Sequence, residues 1–188
     1  QVLFNLPAGD WAKGERGIAC LPDRVEEFRA GVDLAIAYAQ VLGNDQINCL
    51  AGIRPQGVDD ATVEKTFVAN LKYAADKLQA VGIKLVMESI NTLDIPGFYL
   101  NNTKQALAIQ EKVGSPNLFL QYDIYHMQIM EGDLAAPCKP ICRRSTISSW
   151  PTTRAAMSRA RAKSTTASCS TTSTASAIRA GWAVSTSR

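Results

Sequence analysis

Repeated alternation of strand-like and helix-like segments is the feature that most limits how this chain can fold. Strand-like segments begin near positions 46, 83 and 117, and each follows an amphipathic helical pattern that ends at a glycine. A shorter apolar run at residues 2–6 is stopped by Pro7. Strands separated by helices at intervals of about 35 residues pair in parallel, with the helices covering the sheet. The sequence therefore predicts an α/β fold.

The helical patterns also predict where each helix begins and ends. The first helix covers residues 22–42, with Gly43 as its C-terminal cap. The second begins after Asp59 or Asp60 as the N-cap, and the third covers about residues 103–113. One face of the second helix is predicted to be buried, and it consists of Val63, Phe67, Leu71, Ala74 and Leu78.

Two architectures fit this alternation, a closed (β/α)8 barrel and an open doubly wound sheet. No G-x-G-x-x-G sequence follows the first strand, which weighs against a dinucleotide-binding open sheet. Four βα units amount to half of an eight-stranded barrel, and half a barrel leaves strand edges without partners. Because the chain begins with Gln1 and not with Met, we expect it to be a fragment of a larger protein.

Two carboxylates stand at the carboxyl ends of neighbouring predicted strands. Glu88 ends the strand at residues 84–88, and Asp123 ends the strand at residues 118–123. In a (β/α)8 barrel these strand ends form the active-site face, so carboxylates there are typical of catalytic groups. Two that converge suit a hard cation such as Mg²⁺ or Mn²⁺. The alternative is that each carboxylate only caps the turn that follows it.

Further polar side chains lie near the same strand ends. His126, the only histidine, is three residues past Asp123, where a structural role and a contact with substrate are both open. Asn48 and Asn91 are placed to donate hydrogen bonds to hydroxyl groups of a substrate, and packing roles are equally open. Arg54 is a candidate partner for a substrate carboxylate, although a solvated loop arginine is the commoner case.

Charge is segregated along the chain. All 17 Asp and Glu residues lie at or before Asp133, where 11 Lys and Arg residues leave a balance of −6. The remaining residues hold 9 Lys and Arg and no acid, a balance of +9. A basic tail is typical of nucleic-acid binding, but this one has only Trp150 and Trp182 as aromatic residues and no RNA- or DNA-binding motif. We expect no nucleic-acid partner, and a non-catalytic fragment with a basic nucleic-acid-binding tail is the alternative from another functional class.

Cysteine usage and hydropathy indicate the compartment. Five irregularly spaced cysteines and no secretory signal pattern favour free thiols in a reducing environment. Cys138 and Cys142 have the spacing of half a zinc site, without a second ligand pair after them. No apolar stretch approaches the roughly 18 residues that a membrane span needs. We expect a cytoplasmic protein with no membrane partner.

Several strings resemble the hydroxypyruvate isomerase family, whose fold is the xylose-isomerase-like TIM barrel. In chain order they resemble the loop after the third barrel strand and then the fourth, fifth and sixth strands. They are residues 5–11 (Asn-Leu-Pro-Ala-Gly-Asp-Trp), 14–20 (Gly-Glu-Arg-Gly-Ile-Ala-Cys), 47–52 (Ile-Asn-Cys-Leu-Ala-Gly), 88–91 (Glu-Ser-Ile-Asn), 94–98 (Asp-Ile-Pro-Gly-Phe) and 121–128 (Gln-Tyr-Asp-Ile-Tyr-His-Met-Gln). The resemblance covers residues 1–136, and it departs from the family at Ser89, where proline is usual.

The resemblance implies a partial (β/α)8 TIM barrel that covers roughly strands 3 to 6. It implies interconversion of hydroxypyruvate and tartronate semialdehyde, in which one glutamate removes a proton from carbon and another returns a proton to the neighbouring carbon of the enediolate. Glu88 matches the first glutamate, which is also a metal ligand, and Asp123 matches a second ligand. His126 matches a substrate contact. The implied cofactor is Mg²⁺ or Mn²⁺, which the reaction need not strictly require.

After residue 136 the sequence no longer resembles the family. We divide the chain into a partial barrel domain, 1–136, and a tail, 137–188, which is rich in Ser, Thr, Ala and Arg and is either disordered or the product of a shifted reading frame. If the last base of each codon is joined to the first two of the next, residues 150–166 permit Ala-Asp-Asn-Pro-Gly-Arg-His-Glu-Pro-Gly-Thr-Gly-Glu-Ile-Asn-Tyr, a string found in the family. The genetic code forces that first Ala across Trp150 and Pro151.

The shifted frame also carries the catalytic groups that this chain lacks. The Gln metal ligand expected in the seventh strand falls across Ser148 and Ser149, and the second catalytic Glu across Val184 and Ser185. We therefore expect no isomerase activity from this polypeptide. The parent enzyme with an intact frame should act on a small hydroxy-oxo acid, with a 2-oxo-tetronate isomerase or a ketose 3-epimerase as the alternatives on the same barrel.

Overall fold

The computed structural model of the chain describes residues 3–132 and the backbone of residues 145–147. Two short 3-10 helices, Trp11–Lys13 and Pro22–Arg24, precede the first α-helix. In the described part the longer elements follow in the order α1 (Val25–Leu42), β1 (Gln46–Cys49), α2 (Asp60–Ala80), β2 (Lys84–Glu88), α3 (Thr103–Val113), β3 (Leu118–Tyr122), α4 (Ile124–Met130) and β4 (Ser145–Ile147). This order confirms the predicted alternation of strands and helices.

The strands form one parallel sheet in the order β1-β2-β3-β4. The predicted first strand, at residues 2–6, is present as a single bridge from Asn5 to Asn48 on the open side of β1. Two backbone bonds support the bridge, from the Leu6 amide to the Asn48 carbonyl at 2.7 Å and from the Asn48 amide to the Phe4 carbonyl at 2.9 Å. Since each strand pairs in parallel with the next, all of their carboxyl ends lie at one edge of the sheet.

The helix ends follow local capping chemistry. Gly43 closes α1 in the left-handed conformation, with φ of 67°, as the sequence predicts. Asp59, one of the two predicted N-caps of α2, accepts a hydrogen bond from the Thr62 amide at 2.9 Å. Asn102 caps α3 in the same way by accepting from the Gln105 amide at 2.8 Å. Short polar side chains thus set where these helices begin.

The core lies between the helices and the sheet. The predicted apolar face of α2 is confirmed, because all of its members are fully buried, namely Val63, Phe67, Leu71, Ala74 and Leu78. Strands β2 and β3 bury nearly all of their side chains on both faces, as parallel strands covered by helices do. Asn70, also on α2, donates to the Ala19 carbonyl at 2.9 Å and so ties the helix to the loop before α1.

Apart from the 3-10 helix at Trp11–Lys13, two described elements were not predicted, α4 and β4. α4 has 7 residues, too few for a periodic apolar pattern to be recognised in the sequence. β4 lies within the segment for which the sequence predicts no periodic structure, and it pairs with β3 from Leu120↔Ser145 to Tyr122↔Ile147. A parallel ladder uses backbone groups, and Thr146 and Ile147 are β-branched, so the pairing does not require an apolar pattern.

The two flanks of α1 differ. One flank contacts α2 through the ion pair of Asp33 with Lys77, at 3.0 Å, among other contacts. The opposite flank carries large apolar side chains that are exposed, namely Leu34 at 57%, Tyr38 at 57% and Val41 at 86%. These three positions recur at helical spacing, so together they form one apolar strip.

Several predictions fall on residues outside the described part. They are the tail from 137 onward apart from β4, the Cys138 and Cys142 half-site, and the codon pairs across which the shifted frame places Gln and the second Glu. Within the described part, no helix has both the length and the apolar character that crossing a membrane demands.

Replacing Phe67 by leucine tests the assigned core. The ring is fully buried and meets Tyr99 edge to face, with ring centroids 5.7 Å apart. Leucine removes this contact and leaves a small cavity, so the free energy of unfolding should fall by about 1–2 kcal/mol in urea denaturation. Val41→Ala on the exposed strip of α1 is the control and should change the free energy of unfolding by less than about 0.5 kcal/mol. Equal losses in the two variants would contradict this core.

Candidate active site

The strand ends bring two acidic side chains together. Glu88 is the last residue of β2, and Asp123 follows β3 directly. In the ladder Glu88 stands opposite Gln121, and side chains two residues apart on an extended strand point to the same side, so Asp123 projects toward the side of Glu88. Oxygen atoms of both carboxylates and a ring nitrogen of His126 all lie within 4.8 Å of one another. The structure thus brings these three predicted site residues into one cluster.

Glu88 is buried, with 8% of its surface exposed. Its Oε2 accepts a hydrogen bond from Asn48 Nδ2 at 3.1 Å, and the side chain of Gln121 forms another hydrogen bond to this carboxylate. Burial is the largest influence on Glu88 and the neighbouring Asp123 is the second, and together they raise its pKa to about 7 against the opposing effect of the two hydrogen bonds. Glu88 therefore holds or releases a proton near neutral pH.

Asp123 also has a structural function. Its Oδ1 accepts from the backbone amides of Tyr125 at 2.7 Å and His126 at 3.4 Å, which makes it the N-cap of α4. The alternative from the sequence, that a strand-end carboxylate caps the next turn, thus describes Asp123. It does not describe Glu88, whose hydrogen bonds come from the side chains of two neighbouring strands.

His126 lies in the first turn of α4, half-buried beside the two carboxylates. Its Nδ1 is 2.7 Å from Asn91 Nδ2. Burial lowers the pKa of His126, although the carboxylates of Asp123 and Asp94 act in the opposite direction. The ring is therefore placed within the cluster in an environment that disfavours its charged form.

The two predicted asparagines have different surroundings. Asn48 Nδ2 bonds to Glu88 and, at 3.1 Å, to Asn5 Oδ1, while Asn48 Oδ1 is buried with no hydrogen-bond partner among the described residues. Asn91 is fully buried, and both its amide nitrogen and its amide oxygen are engaged with neighbouring protein groups. The predicted substrate contacts of Asn48, Asn91 and His126 stay predictions, as do the catalytic and metal-binding functions of Glu88 and Asp123.

The remaining candidates lie in ordinary environments. Arg54 forms an exposed ion pair with Asp60 at 2.8 Å, as expected for a solvated loop arginine. Cys20 and Cys49 are free thiols within the core, as the sequence predicts. Burial raises the pKa of Cys20 to about 12 and that of Cys49 further, so both stay as thiols at neutral pH.

Sequence reasoning missed several residues that support the cluster. Gln121 bonds to Glu88, and its signal is a polar residue two positions before Asp123 in an otherwise apolar strand. Asn5 bonds to Asn48 and is likewise a polar residue within an apolar run. Asp94 and Tyr125 carried no such signal, because both lie outside the strands and their partners are set by the loop fold.

Comparison with known proteins places this geometry in context. A family model described as a xylose isomerase-like TIM barrel matches residues 1–161. That match includes residues on the far side of the boundary predicted at 136.

Similar proteins include two curated isomerases and one solved structure. Hydroxypyruvate isomerase of Escherichia coli K12 is 58% identical over 134 residues, 71% of this chain and 52% of that protein. A 2-oxo-tetronate isomerase of Cupriavidus necator is 46% identical over 139 residues, 74% of this chain and 54% of that protein. A crystal structure of AP endonuclease, family 2, from Brucella melitensis is 45% identical with a TM-score of 0.69, covering 71% of this chain and 52% of that one. The chain spans about half the length of the curated relatives it matches.

The pKa of Glu88 gives a pH-dependent stability that mutation should remove. The folded state binds the proton of this carboxyl more tightly than the unfolded state, so stability should fall as pH rises from 4.5 to about 7. By pH values above 7 the loss amounts to about 3 kcal/mol in the free energy of unfolding, and Glu88→Gln should remove it. Urea denaturation with chelator present, at about pH 5 and about pH 8, measures the difference.

Glu111→Gln, a change of an exposed carboxylate on α3, is the matched control and should keep the wild-type pH dependence. A Glu88→Gln variant that loses as much stability between the two pH values as the wild type would show that burial does not perturb Glu88.

Proposed function

Because the chain belongs to the xylose isomerase-like TIM barrel family, we propose that the protein it comes from is an aldose–ketose isomerase of a small hydroxy-oxo acid. The substrate pair that we propose is hydroxypyruvate and tartronate semialdehyde, because the relative that is 58% identical is named hydroxypyruvate isomerase. The observation that carries the proposal is the buried Glu88 beside Asp123 and His126 at the carboxyl ends of the strands. The proposal concerns the whole protein, since this chain spans about half of such relatives.

Glu88 is the base in this proposal. Isomerisation of hydroxypyruvate removes a proton from its hydroxymethyl carbon and returns a proton to the adjacent carbonyl carbon. The hydroxyl oxygen also loses its proton and becomes a carbonyl oxygen, while the former carbonyl oxygen gains a proton and becomes a hydroxyl. A general base works best when its pKa lies near the working pH, and the pKa of Glu88 is about 7. The hydrogen bonds from Asn48 and Gln121 orient the carboxylate without neutralising it.

The donor set also fits a divalent cation. Glu88 and Asp123 offer two carboxylates whose oxygens lie within 4.8 Å, and carboxylate oxygen is the ligand type that Mg²⁺ and Mn²⁺ prefer. When bound there, the cation would offset the negative charge that develops on the two substrate oxygens. Asn48 Oδ1, buried and without a described partner, is available to accept a hydrogen bond from a substrate hydroxyl.

A 2-oxo-tetronate is the second substrate candidate. The relative named for it is 46% identical to this chain, and removal of a proton next to a carbonyl would use the same carboxylate. A ketose 3-epimerase would also use this chemistry. Turnover of a panel containing hydroxypyruvate, a 2-oxo-tetronate and ketohexoses separates the three, and we expect hydroxypyruvate to have the highest kcat/KM.

Activity should depend on the reading frame. Resequencing the DNA around codons 136 and 137 establishes whether the frame changes there. The 188-residue chain should show no turnover of hydroxypyruvate, because the second glutamate is absent from it. The frame-restored protein, meaning the full-length parent protein with the shift corrected, should be active, and Glu88→Gln in it should lower kcat by about 10²- to 10⁴-fold.

Glu111→Gln in the frame-restored protein is the control and should leave kcat unchanged. Turnover by the uncorrected chain would contradict the requirement for two glutamates. A folded frame-restored protein that isomerises none of the panel would contradict the proposed function itself.

Metal binding gives an independent test of the carboxylate pair. In the frame-restored protein, Glu88→Gln and Asp123→Asn should each weaken Mn²⁺ binding about tenfold or more in calorimetric titration. Affinity should rise as pH increases toward about 7, because Glu88 must lose its proton to bind the cation. Asp76→Asn, an exposed carboxylate on α2, is the control. Equal Mn²⁺ affinity in all three variants would place the metal elsewhere.

A further inference from the structure

The orientation of the Asn91 side chain is fixed by the loop that contains it. Asn91 Oδ1 accepts from the backbone amides of Leu93 at 3.1 Å and Asp94 at 2.8 Å. Its Nδ2 faces Asp94 Oδ2 at 2.9 Å and His126 Nδ1 at 2.7 Å. Turning the amide by half a rotation would set its NH₂ group against two N–H donors and its oxygen against a carboxylate. Only one orientation satisfies these neighbours, and in it Asn91 presents a donor to the imidazole.

That donor determines where the proton of His126 resides. At 2.7 Å from Asn91 Nδ2, His126 Nδ1 must accept and therefore carries a lone pair. In the neutral ring the proton is then on Nε2. If Nδ1 carried a proton, as in the other tautomer or in the imidazolium, its N–H group would point at the N–H group of Asn91 across this short distance.

We propose that Asn91 is a positioning residue that fixes His126 as the Nε2–H tautomer, so that the imidazole acts as a neutral hydrogen-bond donor to a substrate oxygen and not as a metal ligand. The proposal rests on the proposed isomerase function and deepens it. It gives Asn91 a function different from the substrate contact that the sequence suggested.

The tautomer of His126 determines whether its ring binds a metal ion or donates a hydrogen bond to the substrate. By distance alone His126 fits the position of a third metal ligand, since a ring nitrogen lies within 4.8 Å of oxygen atoms of Glu88 and Asp123. A ligating nitrogen needs a free lone pair, but Nδ1 uses its own to accept from Asn91, and Nε2 is protonated. The Nε2–H group is instead a donor for the substrate oxygen that becomes negative in the enediolate. A neutral imidazole can stabilise that oxygen without first gaining a proton.

A hydrogen bond from Tyr125 holds the carboxylate of Asp94, which in turn accepts from Asn91. Asp94 Oδ2, which accepts from Asn91 Nδ2, also accepts from the Tyr125 hydroxyl at 2.7 Å. Tyr125 and His126 are adjacent in the first turn of α4, so the chain of contacts returns to the helix that carries the imidazole. The arrangement links the loop after β2 to α4 through side chains that hold the ring in place.

Nitrogen NMR of the ring tests the tautomer directly. His126 is the only histidine, so in a chain labelled with ¹⁵N-histidine the two ring signals belong to it alone. In the wild-type chain at neutral pH, Nδ1 should give the far-downfield signal of an unprotonated nitrogen and Nε2 the signal of a protonated one. A protonated Nδ1, or the averaged pair of signals given by free imidazole, would overturn the proposal.

Asn91→Asp replaces the donor by an acceptor of the same shape. Nδ1 should then become protonated, and its signal should move upfield toward that of a protonated nitrogen. Asn102→Asp makes the same chemical change at the N-cap of α3, where aspartate caps equally well, and should leave both ring signals unchanged. An Nδ1 signal that stays downfield in Asn91→Asp would show that Asn91 does not set the tautomer.

The ring signals are independent of turnover, so the two proposals fail separately. A frame-restored protein with no isomerase activity would sink the proposed function and leave the tautomer assignment standing. If the protein is active, Asn91→Asp should lower kcat about 10- to 100-fold with little change in KM, as expected for a group that orients a catalytic side chain. An unchanged kcat would overturn the catalytic part of the inference.

Discussion

The parallel pairing of β2 with β3 is the constraint on which the site depends. Its register sets Glu88 opposite Gln121, and strand alternation then brings Asp123 to the same side, at the edge where the strands end. Two carboxylates held close together in a buried place repel each other, and the pKa of Glu88 rises to about 7 as a result of burial and this repulsion. In the function that we propose, the same geometry supplies the proton acceptor and the two carboxylates that would bind a cation.

Side-chain amides hold this arrangement from two directions. On the side of β1, Asn5 bonds to Asn48 and Asn48 bonds to Glu88, so the Glu88 carboxylate is oriented by the neighbouring strand. From the loop after β2, Asn91 orients His126. An amide can donate and accept at once without a charge, which suits it to support a carboxylate and an imidazole inside a partly buried cluster.

The sequence predicted the elements with clear periodicity and the acidic residues at strand ends, because both depend on local spacing. Gly43, the buried face of α2 and Glu88 at the end of β2 all follow from that spacing. It missed α4, which is a single short helix begun by Asp123, and it gave no sign that Asn91 reaches His126 across 35 residues. Such contacts depend on how a loop folds back on a neighbouring strand, and no repeat in the sequence records that.

The described residues would supply one side of the catalytic centre that we propose. In a closed barrel, the apolar strip of α1 (Leu34, Tyr38 and Val41) would face the helix of the preceding βα unit, and the strands after β3 would face Glu88 across the barrel mouth. A crystal structure of the frame-restored protein grown with Mn²⁺ tests the central claim most directly. We expect an anomalous peak for Mn²⁺ bound by the carboxylates of Glu88 and Asp123, with His126 beside it but not coordinated. A peak bound elsewhere, or these two carboxylates turned to opposite sides of the sheet, would contradict the account.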